Sequence, residues 1–362
     1  MPSTLIIGGG ISGLTAAYAL GRECTLIDDG SALGGVIQTR EAEGCRIEAG
    51  PDSFLAAKPA ALKLIGELGL ADEVIGSNDH QRVTYIQRKG RLVPMPDGLM
   101  MMIPTKILPM AFTPLLGWGT KIRMGLEFFH GKPAAPLADR SVADFVREHY
   151  GQEVVDYLAE PLLAGVYGGD PEHLSVSSVL PRMVDLEKKY GSLTRGTLTE
   201  RRKAPPAPKG ATLFRTLKGG LGTLTAALEK AIAPRTRVIR GRAEALEPGY
   251  RVRVNGEWLT AEQVIVATPS WAAAPLLGGL DGGLATELAA IQYSSSLTVG
   301  LVYDTAAAGH LTGFGFLVPR PERDFLMACT YVHRKFDHRV APGRALLRAF
   351  AHDVALSDAE AL

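Results

Sequence analysis

A chain of 362 residues, 46% of them hydrophobic, can bury a sizeable core and form one large domain or two to three smaller ones. Its 39 basic and 38 acidic residues nearly cancel, which argues against a nucleic-acid binder, whose charge is usually distinctly basic. Three cysteines, Cys24, Cys45 and Cys329, form no C-x-x-C pair, so neither a disulfide framework nor a cysteine zinc site is expected and a reducing, cytoplasmic compartment is the simplest reading.

The chain opens directly on an apolar strand ending at Leu5–Ile7. No basic region precedes a cleavable apolar segment there, so no secretory leader is expected. No run of roughly 18 apolar residues reads as a spanning helix. Gly8, Gly10 and Gly13 then follow the spacing G-x-G-x-x-G, with Gly9, Ile11 and Ser12 between them, and Ala16, Ala17, Ala19 and Leu20 continue as a helix. In such a loop the first glycine permits a tight turn, the second lets backbone approach a pyrophosphate, and the third lets helix and strand pack closely. The helix start offers N–H groups and a positive dipole end to phosphates. A second strand, "CTLIDD", closes on Asp28 and Asp29. Asp28 stands about 20 residues after Gly8, where the fingerprint wants a carboxylate for ribose hydroxyls. An acid there disfavours NADP, whose extra phosphate it would repel.

Gly34 and Gly35 follow the second strand, and "CRIEAGPDSF" carries Gly50, Pro51, Asp52 and Ser53. By residue type alone these are two turns. Pro59 starts a packing helix with Leu62, Ile65 and Leu68 at helical spacing. Residues 83–94 read as a hairpin turning at Lys89–Gly90. From Met95 to Phe129 the chain is apolar, rich in methionine and broken by Pro104, Pro109 and Pro114, which forbid one long helix. Two compatible readings stand: short helices forming a domain core, or an apolar face resting on a membrane beside Lys106, Lys121 and Arg123. Ser141 with Asp144 three residues on predicts a capped helix ending at Gly151, with Val142, Phe145, Val146 and Tyr150 on one face. The basic, proline-rich stretch from Arg201 to Ala211 reads as a solvated connection near a domain crossing. Strands are expected at Val238–Ile239 and Val264–Ala267. "SLTVGLVYD", "GFGFLVPR", "FLMACTYVH" and "RALLRAFA" would then build a second sheet. His333 and His338 read as surface residues. The histidines show no metal spacing and no G-x-S-x-G nucleophile elbow appears, so no catalytic side chain is expected.

The acid after the second strand, the Gly-Gly pair and E-x-G-P together resemble the flavin-containing amine oxidase superfamily. "EPLLAGVYGGDPEHLSV", with "GVIQT", "GPDSF", "KGRLVPMPDGL", "LKGGLGTL", "VIVATP" and "GFGFLVPR" in order, resembles the oxygen-dependent porphyrinogen oxidases of haem biosynthesis over nearly the whole chain. The resemblance implies an α/β fold: a Rossmann-like FAD-binding domain (1–75 and 201–272), a mixed-sheet substrate domain (76–93 and 273–362) and a helical, membrane-associated domain (94–200). It implies FAD as cofactor, with the flavin N5 rather than any side chain carrying the reaction. Gly8, Gly9, Gly10, Ile11, Ser12, Gly13, Asp28 and Asp29 would hold the ADP half. Gly34, Gly35 and Val36 would flank the pyrophosphate, and Gly50, Pro51, Asp52 and Ser53 would approach the flavin ring. Val238 would contact the adenine.

For the substrate, Arg82 would pair with a propionate, by the bidentate geometry a guanidinium allows; its plainer reading is an exposed strand arginine. Gly165 would face the macrocycle with its backbone, or else stop a helix. Phe314 and Leu317 would sandwich the rings, or else fill a strand core. The implied reaction is the six-electron oxidation of protoporphyrinogen IX to protoporphyrin IX with O2, releasing H2O2; coproporphyrinogen III is the near alternative. An amine oxidase, a carotene desaturase and a non-catalytic porphyrin-binding protein are the remoter ones. Implied partners are the porphyrinogen, O2, a second copy of the chain, a ferrochelatase receiving the product, and the inner face of the cell membrane; no nucleic acid and no metal are expected. The family runs on for about another hundred residues, a small domain's worth, so its final FAD segment is expected to be absent from this chain. Gly168 stands where the family often has alanine.

Overall fold

In the computed structural model, which describes residues 4–133, 138–167, 169–203 and 212–352, the run before the glycines is buried at every position as the strand Thr4–Ile7 (β1). A strand covered on both faces shows no polar alternation, and this one has none. The helix Ile11–Leu20 (α1) leads to the strand Cys24–Asp28 (β2). Much later the chain returns with the helix Gly222–Ile232 (α2) and the strands Thr236–Arg240 (β3) and Gln263–Val266 (β4). The sheet order is β3-β2-β1-β4, parallel throughout.

Successive side chains of β1 point to opposite faces. Ile6 joins Leu14, Ala17, Leu26, Ile65, Leu224 and Leu228 in one cluster, which includes α1 and α2. Leu5 and Ile7 join Ile27, Val252, Val254 and Leu276 in the other. That second face is covered by an antiparallel sheet of Ala243–Glu247, Arg251–Val254 and Glu257–Thr260. Each such aliphatic side chain stabilises by about 1.5–3 kcal/mol on full burial. These elements belong to one compact unit, formed by residues up to Ser77, Thr212–Tyr293 and Phe336–Arg344.

The other unit contains a six-stranded mixed sheet. Its order is Ser296–Asp304, Arg344–His352, Leu326–Tyr331, Gly315–Leu317, Thr84–Arg88, Arg91–Pro94. Gly315–Leu317 runs parallel to Thr84–Arg88 and antiparallel to Leu326–Tyr331. The expected hairpin turns at Lys89 (φ 51°) and Gly90 (φ 71°), the left-handed pair that matches strand twist. Helices Ile107–Phe112, Trp118–Leu126, Val142–Tyr150, Glu160–Tyr167, Pro181–Tyr190 and Leu193–Lys203 complete the unit. Ile86 and Val93 share a core with Met110, Met124, Phe145 and Leu158. Ser141 Oγ accepts the Asp144 N–H at 3.0 Å, and Gly151 ends that helix at φ 91°. Pro109 sits in the first turn of its helix, where its missing N–H has no intrahelical partner to lose.

The same helices bury a charged cluster. Both ring nitrogens of His149 reach carboxylates: Nδ1 lies 3.0 Å from Glu127 Oε1 and Nε2 lies 3.2 Å from Glu187 Oε1. Glu127 also accepts from Ser192 Oγ and the Leu193 and Thr194 N–H groups, and Arg140 donates to Glu187 at 2.6 Å.

Three expectations change. Arg201–Lys203 are the last turn of a helix rather than solvated connection, because these are good helix formers and suit the negative end of the dipole; 204–211 lie outside the described residues, as does Gly168. His333 is half-buried rather than superficial: Nδ1 donates to the Leu346 carbonyl at 3.2 Å, and burial pulls its pKa down; His338 is exposed. Gly165 does not stop its helix, which continues to Tyr167. Among the described residues no helix is long and apolar enough to cross a membrane.

Candidate cofactor site

The parallel strands end on one edge, where Ile7, Asp28, Arg240 and Val266 hand over to loops. Between β1 and β4 the strand order reverses, the place where open α/β sheets bind ligands. The glycine loop there admits few side chains. A Cβ on Gly13 would lie 1.8 Å from the Gly8 carbonyl oxygen, so α1 rests directly on the turn. Gly8 has φ +106°, and a Cβ on it would lie 2.8 Å from the Ala267 oxygen. Gly10 differs: a Cβ there would meet only Gly35 Cα, at 4.0 Å, so the space before it is open.

Asp28 stands where the spacing puts it, and both oxygens are engaged by backbone. Oδ2 accepts the Gly9 N–H at 2.7 Å and Oδ1 accepts the Gly30 N–H at 3.0 Å. A carboxylate keeps further acceptor capacity, so bracing the loop leaves room for a ribose hydroxyl. Arg240 Nη1 stands 3.7 Å from Oδ1 and donates to the Gly30 carbonyl. Asp29 is exposed beside it.

The second glycine pair meets the first back to back. Gly34 N–H donates to the Gly9 carbonyl at 2.8 Å, and Gly10 and Gly34 form a parallel bridge. Gly50 packs on the exposed Val36, where a Cβ would lie 1.8 Å from the Val36 oxygen. Pro51 follows, and Ser53 Oγ donates to Asp52 Oδ1 at 2.6 Å. Gly8–Gly13, Asp28, Gly34–Val36 and Gly50 are thus one neighbourhood. Val238 lies within β3, paired with Leu26 and 37% exposed.

These residues fit an adenine dinucleotide. The cap of α1 is a glycine with no side-chain cap bond, and its first turn holds no acid, so its first N–H groups are available to a pyrophosphate. The open face of Gly10 gives that group room. Thr268 Oγ1, beside Gly8, is buried with no partner among the described residues. A bound flavin supplies a two-electron acceptor; the protein supplies the seat and the electrostatics.

The residues singled out for substrate lie in the other unit. Arg82 precedes the strand Thr84–Arg88, is about half exposed, and stands 4.0 Å from Asp79. Phe314 N–H donates to the Val83 carbonyl at 2.8 Å, which brings it beside Arg82's neighbour; its side chain is buried. Leu317 pairs with Ile86 and is half-buried. The helix of Gly165 contacts the strand Gly315–Leu317. Sequence reasoning passed over Glu160, at the start of that helix. Its carboxylate takes Arg323 at 2.8 and 3.1 Å and the Arg320 N–H at 3.2 Å, pinning the helix to the loop after Gly315–Leu317. It also passed over Arg339, and gave no role to Glu48, the acid of E-x-G-P; the two form a buried pair behind the glycine seam. Burial pulls the Arg339 pKa down while Glu48 and Asp52 oppose this, and burial pushes the Cys329 thiol up to about 11. Among the described residues no group of His, Cys, Asp and Glu could hold a metal.

The model of flavin containing amine oxidoreductases matches residues 11–362. Coproporphyrinogen III oxidase of Bacillus subtilis is 34% identical over 380 residues, covering 96% of this chain and 76% of the relative. Chloroplastic protoporphyrinogen oxidase 1 of Arabidopsis thaliana is 30% identical, covering 95% of this chain and 68% of the relative. The solved structure of a provisionally named protoporphyrinogen oxidase from Exiguobacterium superposes with a TM-score of 0.85 at 30% identity, covering 96% of this chain and 76% of that one. A glycine loop that fits a dinucleotide, an amine-oxidase-like α/β fold with a mixed sheet, and a family match from the start of α1 onward lead to one conclusion: the chain belongs to the flavin containing amine oxidoreductase family and is an FAD-dependent oxidoreductase.

Proposed function

We propose that this protein oxidises a porphyrinogen to the porphyrin, and that coproporphyrinogen III is the substrate. The observation that carries this is the 34% identity to a coproporphyrinogen III oxidase over 96% of the chain. Protoporphyrinogen IX is the second reading, favoured by the names of the Arabidopsis relative and the Exiguobacterium structure. Aromatisation removes six electrons, so a two-electron acceptor must turn over three times, reoxidised by O2.

In this reading Gly8 to Gly13 with Asp28 and Asp29 hold the ADP half of FAD. Gly34 to Val36 flank the pyrophosphate, Gly50 to Ser53 approach the ring, and Val238 meets the adenine. Arg82 pairs with a substrate propionate, for which its exposed guanidinium and its long distance to Asp79 suit it. Phe314, Leu317 and the backbone at Gly165 line the macrocycle. The test is turnover of the two purified porphyrinogens, followed as porphyrin fluorescence with oxygen uptake. Faster oxidation of coproporphyrinogen III supports the first reading and faster oxidation of protoporphyrinogen IX the second. Activity on amines or polyenes alone refutes both.

The same reading includes a peripheral membrane contact. Ile107, Leu108, Phe112, Trp118, Ile122 and Phe129 are all exposed, Ile107 by 85%. Lys106, Lys121 and Arg123 lie among them, Lys121 over the Trp118 ring at 4.5 Å. An apolar surface with basic neighbours suits an anionic bilayer surface. Co-sedimentation with anionic vesicles that disappears in Phe112→Ser/Ile122→Ser supports the contact; equal recovery in the supernatant with and without vesicles refutes it.

A further inference from the structure

Behind the glycine seam lies a charge pair that no flavin reaction requires. Arg339 is 2% exposed. Its Nη1 lies 3.1 Å from Glu48 Oε1 and its Nη2 donates to Thr216 Oγ1 at 2.6 Å. Its backbone is fixed as well, since the Arg339 carbonyl accepts the Arg46 N–H at 2.8 Å. Desolvating two charges costs several kcal/mol, and well-packed apolar residues often serve stability as well or better. The placement of this pair therefore calls for a reason other than stability.

The reason lies in what Glu48 touches. Oε1 also accepts the Leu221 N–H at 2.9 Å, and Oε2 accepts the Thr39 hydroxyl at 2.7 Å. Thr39 Oγ1 in turn accepts the Gly222 N–H at 2.9 Å. Leu221 brings no side-chain cap to α2, so Glu48 and Thr39 cap that helix from outside. They replace partners that the first helical N–H groups otherwise lack. Gly220, at φ +93°, allows the approach: a Cβ on it would lie 2.4 Å from Thr39. One turn into α2, Thr225 abuts Gly34, where a Cβ would meet Thr225 Oγ1 at 3.1 Å. Gly34 is bonded to Gly9, and Val36 supports Gly50.

We propose that Arg339 and Glu48 are a positioning pair for FAD. Arg339 orients the Glu48 carboxylate, Glu48 with Thr39 sets the start of α2, and α2 sets the register of Gly34–Val36 against the first glycine loop. The inference rests on the reading that these loops seat FAD. It separates the two ends of the site: the pair acts on Gly34–Val36 and Gly50, beside the pyrophosphate and the ring, and leaves the adenosine end at Asp28 to β1, α1 and β2.

The experiment titrates the flavin-free full chain with FAD and, separately, with AMP, which lacks the second phosphate and the ribitol, and records its melting temperature. Arg339→Met and Glu48→Gln are each expected to raise the FAD dissociation constant about tenfold or more, while the AMP constant stays within about threefold. The double variant should be no worse than the worse single, since both remove one interaction. Arg339→Lys, which keeps the positive charge but loses the guanidinium fork, should recover part of the FAD affinity. The bound flavin's visible spectrum should lose fine structure in the Met and Gln variants only. FAD binding within about threefold of the unsubstituted protein in both single variants overturns the proposal. So does a parallel loss of AMP and FAD affinity that follows the melting temperature, the mark of a merely structural pair. If the unsubstituted chain binds neither FAD nor AMP, the seat itself is misassigned and the positioning role falls with it.

Discussion

Replacing His149 by glutamine tests the buried cluster of the helical layer most directly. The imidazole has carboxylates on both ring nitrogens and is inaccessible to water. Carboxylates only accept, so both nitrogens must donate and the ring is an imidazolium. Burial alone would lower its pKa, but the hydrogen bonds to Glu127 and Glu187 outweigh that and hold it above 6.5. Glu127 and Glu187 are likewise opposed by burial, yet held below 4.5 by His149 and their other donors. Glutamine can serve one carboxylate but not both, and it carries no charge. Breaking a buried pair by removing one partner costs about 3–5 kcal/mol. At about 2–4 °C per kcal/mol for a unit of this size, the melting temperature should fall by about 10 °C. The sign with pH follows from linkage. A raised histidine pKa gives stability that is complete below 6.5 and lost as pH rises through the folded value. The lowered carboxylates give stability that is complete above 4.5 and lost as pH falls through their folded values. The gap between wild type and His149→Gln should therefore be widest between those two limits and narrow in alkali. Thermal denaturation followed by circular dichroism across that range is the assay. A variant melting within about 2 °C of wild type, or a gap that does not change from acid to alkali, refutes the reasoning.

Gly13→Ala drives a methyl into the Gly8 carbonyl and should yield protein that melts earlier and retains no flavin colour; a yellow variant of normal stability would contradict the packing described. Gly10→Ala meets no such obstacle, so its flavin-free form should melt as wild type does while FAD affinity drops, read by fluorescence titration. Asp28→Asn keeps one acceptor for Gly9 or Gly30 but loses the charge, and should weaken AMP and FAD alike, measured by the same titrations. Glu160→Gln leaves Arg323 without its buried counter-charge and should destabilise by about 3–5 kcal/mol, seen as a lower urea midpoint.

What the sequence disclosed is what neighbours in the chain decide. Gly8 to Gly13 and the acid at Asp28 belong to one strand–turn–helix–strand unit, and spacing alone located them. Lys89–Gly90 and Ser141 with Asp144 are likewise local, and the turn and the cap formed where expected. Asp28 was legible in place but not in its whole task, because the N–H groups of Gly9 and Gly30 reach it only once the loop is closed. Arg339 and Glu48 stand 291 residues apart. Nothing in the residues around either marks a partner, and a lone arginine reads as surface. His149 lies 22 residues from Glu127 and 38 from Glu187, and a histidine on an otherwise apolar helix face carries no sign of the acids that will meet it. The alternative reading of Gly165 as a helix stop fails for a related reason: a glycine ends a helix only where the chain must turn, and here the backbone runs on to Tyr167.

The meeting of Gly9–Gly10 with Gly34–Gly35 has a consequence for anyone reshaping this protein. Two stretches of main chain touch there, and a Cβ would lie 2.5 Å from its nearest neighbour at Gly9, 3.0 Å at Gly34 and 3.1 Å at Gly35, so of the four only Gly10 has room for a side chain. Retuning toward another nucleotide must work from the rim, at Asp28, Asp29 and Arg240, where side chains exist to be exchanged.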